Sequence, residues 1–127
     1  IFESMHRFLR EAGVPDTMPL AITEGGYPAD AYMIDSTLFA ASAAKQQRHL
    51  ELTLYELSKL PNPIPFVVNY AVRDSDRQWA RLVASAENPR FVEFYKYFRD
   101  LGLYDGDGAP RPSLDTWTRY HQLPLVP

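Results

Sequence analysis

Two short apolar runs, residues 18–23 (MPLAIT) and 64–72 (IPFVVNYAV), lie about 40 residues apart and frame one strong helical pattern. Neither run alternates polar with apolar residues. Each therefore reads as a strand covered on both faces, as in a parallel sheet. Between them, residues 42–60 place Gln47, Leu50, Leu54 and Leu57 on one helical face, and Pro61-Asn62-Pro63 stops the helix. Strand, helix and strand over this span make a βαβ unit, with parallel strands and a right-handed crossover. Two strands do not make a stable sheet alone. The α/β architecture thus reads as unfinished on its N-terminal side.

The flanking segments are mostly helical. Met5, Phe8, Leu9 and Ala12 form one face of a helix over residues 2–12, closed by Gly13 and Pro15. Residues 27–41 read as an irregular loop carrying Tyr27, Tyr32, Phe39, Asp30 and Asp35. A loop of that length and aromatic content points to function. Ser75 to Gln78 has the form of a capping box opening a short helix, with Trp79, Leu82 and Val83 inward. Asn88-Pro89 opens another, whose Phe91, Phe94, Tyr95 and Phe98 read as a core stripe. Residues 105–112 form a turn, and a last helix over residues 113–121 faces inward through Leu114 and Trp117.

Composition narrows the function. The 127 residues are 46% hydrophobic with a formal charge of −3, which fits one folded domain rather than a disordered chain. The 13 Lys and Arg are scattered without a basic run, so a nucleic-acid partner is not expected. No stretch approaches the roughly 18 apolar residues of a membrane span, so no membrane partner is expected either. The absence of cysteine excludes disulfides, thiolate zinc sites and thiol nucleophiles. His6, His49 and His121 lack metal-ligand spacing. Asp105-Gly-Asp107-Gly begins like a calcium loop, but the position that needs glutamate is Thr116, so a turn is expected. Neither a phosphate-binding loop nor a Ser-His-Asp arrangement is present, and no metal or cofactor is expected.

Chemistry in parallel α/β folds gathers at the carboxyl ends of the strands. Those ends hold Glu24, followed by Gly25, Gly26 and Tyr27, and the segment from Asn69 to Asp74. A carboxylate before a glycine pair can serve as nucleophile, base or metal ligand. It can equally cap a turn or pair with Arg73. Tyr27 and Tyr32 suit sugar stacking or plain loop packing, and Trp79 either packs or reaches the cleft.

Four segments in order resemble one family. PLAITEGGYP resembles the seventh-strand motif of the retaining β-glycosidase superfamily of TIM barrels, the cellulase-like clan A glycoside hydrolases. KQQRHLELTLYEL resembles the seventh helix, IPFVVNYAVRD the eighth strand, and LGLYDGDGAPRPSLDTW the passage into the eighth helix. The resemblance implies a partial (β/α)8 barrel, residues 1–127 supplying its last two strands and flanking helices. It implies Glu24 as catalytic nucleophile, with Tyr27, Asn69, Tyr70 and Asp74 as substrate-binding residues on a carbohydrate. Asn69 stands where the family usually has a tryptophan platform, and Arg111 where it commonly has lysine. Arg73 and Asp74 are expected to pair at the rim.

A retaining hydrolase needs a second carboxylate about 5–5.5 Å from the nucleophile. The family carries it in an Asn-Glu pair, which this sequence lacks. The chain begins at Ile1 and reads as a piece of a longer parent, inactive by itself. The competing reading is a non-catalytic barrel portion that binds a glycan or a partner. That partner would be the missing part of the barrel or a second copy, since open parallel edges seek pairing.

Overall fold

The computed structural model describes residues 2–19, 21–60, 64 and 67–121. It is a mixed α/β fold of five helices and three two-stranded sheets among the described residues. The helices are α1 (Phe2–Glu11), α2 (Ala43–Ser58), α3 (Asp76–Ser85), α4 (Pro89–Arg99) and α5 (Pro112–His121). The strands are β1 (Ile22–Gly25), β2 (Tyr32–Ile34), β3 (Thr37–Phe39), β4 (Val67–Asn69), β5 (Ala71–Arg73) and β6 (Gly102–Tyr104). No described helix is long and apolar enough to cross a membrane.

The βαβ unit is present: β1 and β4 run parallel, with α2 between them in the chain. The two-strand expectation needs three corrections. The second run is broken at Tyr70 into β4 and β5, and β5 pairs in parallel with a further strand, β6, that the apolar pattern did not announce. The loop over 27–41 contains an antiparallel hairpin, β2–β3, turning through Asp35 and Ser36, both at positive φ. The strands are also covered on one face only. Val67 and Asn69 turn half-buried toward α2 and α5, whereas Val68, Tyr70 and Val72 are exposed, Val72 by 67%. The Pro61-Asn62-Pro63 stop lies outside the described residues.

Caps explain most helix limits. Ser42 Oγ accepts from the Lys45 amide to start α2, and Asn88 Oδ1 accepts from the Arg90 amide behind Pro89 to start α4. Gly13, at φ 82°, ends the first helix as expected. Ser75 departs from the capping-box pattern, because its hydroxyl donates to Gln78 Oε1 and caps no amide.

The apolar core is small: Tyr32, Ala41, Leu54, Leu57, Leu101 and Leu103. A buried polar layer joins it, made of Gln46, Asp74, Asp100, Ser113 and Thr116. Gln46 lies where α2 meets α5 and β6. It accepts from Ser113 Oγ at 2.7 Å and donates to the Gly102 carbonyl at 3.2 Å. Every polar atom so buried must be paired, because an orphan costs about 1–3 kcal/mol. The aromatic stripe of α4 departs from its expected core role. Phe91 (57% exposed), Phe94 and Tyr95 face outward, and Phe98 and Tyr97 do the inward packing. On α3, Val83 is exposed as well.

Candidate active site

Glu24 is the next-to-last residue of β1, at the carboxyl end of a parallel pair. The register fixes how it is presented. Ile22 faces Val67 and Gly25 faces Asn69, so β1 carries one residue more than β4 over that span. This is a β-bulge, and Thr23 and Glu24 together oppose Val68. Strict alternation would put Glu24 on the face of half-buried Ile22, toward α2. The bulge breaks the alternation, and both Thr23 and Glu24 are exposed. No hydrogen bond or ion pair holds the Glu24 carboxylate among the described residues. The expected alternative, a pair with Arg73, is absent: Arg73 donates through Nε and Nη2 to the Gly106 carbonyl.

The other candidate residues divide. Tyr70 is brought next to Glu24, its amide donating to the Gly25 carbonyl at 2.7 Å. Its ring is half-exposed and meets Phe98 at 5.6 Å. Asn69 is tied to the main chain instead. Its Nδ2 donates to the Ala71 carbonyl at 2.6 Å and the Leu101 carbonyl at 3.3 Å, bridging the break in the strand. Tyr27 turns away to the helix layer, stacked on His49 at 4.9 Å and tilted against Phe39 at 5.6 Å. Burial of that face pushes the His49 pKa down, although the residue keeps an exposed edge.

Asp74 is buried, its side chain 2% exposed, and it accepts three hydrogen bonds from the fold, two at Oδ1 and one at Oδ2. Arg111 grips it with two hydrogen bonds, at 2.8 and 2.5 Å, and the Gly102 amide donates to it at 2.9 Å. Arg111 also donates to the Gly102 carbonyl at 2.9 Å. The carboxylate therefore fastens β5 to β6, and its partner is Arg111 rather than Arg73. Spacing gave no sign of this, because Asp74 and Arg111 are 37 residues apart. Gly102 is required there. A Cβ would run into the Tyr104 carbonyl and come within 2.6 Å of the Asp74 amide.

The segment after Glu24 is fixed by α4. Lys96 Nζ donates to the Ala31 carbonyl, the Tyr97 hydroxyl to the Gly26 carbonyl, and Arg99 to Asp30 and Asp100. Burial, then the neighbouring Tyr97 and Tyr27, raises the Tyr32 pKa, and burial raises that of Tyr97. The Arg99 pKa is raised chiefly by its hydrogen bond to Asp100. Asp105 caps its own turn by accepting from the Asp107 and Ala109 amides. No three His, Asp or Glu side chains among the described residues could jointly hold a metal ion. No family model matches the chain, and no curated protein or solved structure shows significant similarity to it.

Proposed function

We propose that this chain carries the nucleophile of a retaining glycoside hydrolase, with Glu24 in that role, as part of a longer (β/α)8 barrel. The observation that carries the reading is the bulge at Thr23–Glu24, which delivers to solvent, at the carboxyl end of a parallel strand, a carboxylate with no hydrogen bond or ion pair among the described residues. Bulges recur beside active sites because they re-aim one side chain. The exposed apolar face of Val68, Tyr70 and Val72 is the side that the remaining strands of a barrel would cover.

In this mechanism the ionised Glu24 attacks the anomeric carbon and forms a glycosyl-enzyme, and a second carboxyl protonates the leaving oxygen and then activates water. Asp74 and Asp100 are buried against arginines and are unsuited to that second role. The resemblance places the acid/base group in an Asn-Glu pair that this sequence lacks, so this reading takes it from the rest of the barrel. The test is covalent trapping in the protein of the complete reading frame. A panel of 2-fluoro-glycosides with dinitrophenolate leaving groups needs no acid catalyst. Peptide mapping is expected to find the sugar on Glu24, with no label after Glu24→Gln. Turnover accompanied by labelling at another carboxylate would overturn the assignment.

A second reading is a glycan-binding portion without catalysis. The Asn69 amide favours it, since it is spent on main-chain carbonyls where the resemblance places a sugar platform. Substrate binding without labelling of Glu24 would select it.

A further inference from the structure

A cavity of about 340 Å³ lies between β5, α3 and α4, outside the chemistry assigned to Glu24. That volume is in the range that takes a small ligand. Its walls are aromatic, built from Tyr70, Trp79, Tyr95 and Phe98. The rings brace one another, Tyr70 on Phe98 at 5.6 Å and Tyr95 on Phe98 at 6.4 Å, while Tyr70 and Tyr95 keep 48% and 40% of their surface open. Ring faces held rigid and left uncovered are suited to stacking on the C–H face of a sugar.

Two arginines line the same cavity, and their charges are not equivalent. Arg99 is offset by Asp100 at 2.8 Å and Asp30 at 3.5 Å. Arg73 forms no ion pair among the described residues. Two of its nitrogens serve the Gly106 carbonyl, and Nη1 has no hydrogen bond among the described residues. The Asp76 carboxylate lies against Gly106 on the far side of the carbonyl that Arg73 grips, so the free Nη1 edge of the guanidinium is what an aromatic-walled cavity offers to a ligand with one apolar face and one negative charge. Asp76 opens α3 close by and repels a phosphate dianion about twice as strongly as a single carboxylate.

We propose that this cavity binds a uronate unit, its carboxylate on Arg73 and its ring against the open rings of Tyr70 and Tyr95, beside Trp79, over which the Arg99 guanidinium already lies at 5.6 Å. The inference rests on the carbohydrate reading above and deepens it. Tyr70 joins the two places, since its amide is bonded to Gly25 beside Glu24 and its ring lines the cavity. The substrate class is accordingly an acidic saccharide.

The test uses the protein of the complete reading frame, with Trp79→Phe as the control that isolates the part of the fluorescence signal arising at this cavity. Cellobiouronic acid and cellobiose differ only in the oxidised C6, so they isolate the charge. Fluorescence titration, with calorimetry as a second readout, is expected to show the acid binding about tenfold tighter, as one charge-assisted hydrogen bond implies. Arg73→Gln should bring the two ligands within about twofold, whereas Arg73→Lys keeps most of the preference and controls for folding. Equal affinities, or no saturation by about 50 mM with the circular dichroism unchanged, would overturn the proposal. Acid-selective binding without labelling of Glu24 refutes the hydrolase reading alone. Labelling of Glu24 without acid selectivity refutes the uronate proposal alone.

Discussion

Replacing Arg111 with methionine strips the cation from a carboxylate that has almost no access to water. The Asp74 side chain is 2% exposed and that of Arg111 is 13% exposed, with two hydrogen bonds between them and a third from Arg111 to the Gly102 carbonyl. Deleting one member of such a pair costs about 3–5 kcal/mol, mostly because the survivor is left buried and charged. A domain of this kind has about 5–15 kcal/mol in total, so the loss is a large share of it. In urea, with an m-value near 2 kcal/mol/M, the midpoint falls by about 1.5–2.5 M. Arg111→Lys keeps the charge but loses the two-pronged geometry, and should fall between, at about 1–3 kcal/mol. Asp74→Leu combined with Arg111→Met should cost less than the two single changes added, since no lone charge remains. The assay is equilibrium unfolding followed by far-UV circular dichroism and fluorescence together, to check two-state behaviour. A midpoint shift below about 0.5 M for Arg111→Met would refute the clamp and return Asp74 to the pool of substrate-contacting residues.

Two further perturbations probe the loop after Glu24 and the helix behind it. Ser36 sits at φ 71° in the β2–β3 turn, a left-handed conformation that costs a non-glycine residue about 1 kcal/mol. Ser36→Gly should raise Tm by roughly 3–5 °C in a calorimetric scan, and an unchanged or lower Tm would count against the strained turn. His49 has its pKa lowered by burial against Tyr27, so the folded state favours the neutral ring. The unfolded chain then takes up the proton first, near its ordinary pKa of 6.5. This contribution to stability is complete above that pH and is lost as the pH falls below it. His49→Phe keeps a ring on Tyr27 and should flatten the urea midpoint between about pH 7.5 and 5; an unaltered slope would assign it to other groups.

How much was legible in the sequence follows from which interactions are local. The βαβ unit could be read because Leu54 and Leu57 repeat along one helix and the apolar runs flank it. The cap Asn88 could be read because a cap spans only two or three residues, whereas Ser42, placed inside the helix by its sequence pattern, is the N-cap of α2. The hairpin was hidden because Asp35-Ser36 lacks the glycine that normally marks such a turn. Strand β6 was hidden because GLY is too short to show a period, and only pairing with Ala71 and Arg73 makes it a strand. The α4 stripe misled because periodicity shows that a face is apolar, not that something covers it. Of the site, Glu24 could be placed at a strand end, but its bulge depends on the register of β4. Asp74 looked available because nothing within a few residues of it foreshadows Arg111.

The two parallel pairs meet at Tyr70, and this dictates how the halves of the site communicate. Pair β1–β4 positions Glu24, and pair β5–β6, fastened by Asp74 and Arg111, positions Arg73. The main chain of Tyr70 belongs to the first half through Gly25, and its ring to the second through Phe98. The amide hydrogen bond does not depend on the side chain, so the ring can be altered without moving the Glu24 end of β1. Asn69 reinforces the same joint by reaching both Ala71 and Leu101. A tryptophan at 69 could donate one indole N–H where the amide makes two bonds, and would leave a buried carbonyl short of a partner. Asn69 is therefore the residue that bridges the broken strand, and at that break the Tyr70 ring lines the arginine-flanked cavity.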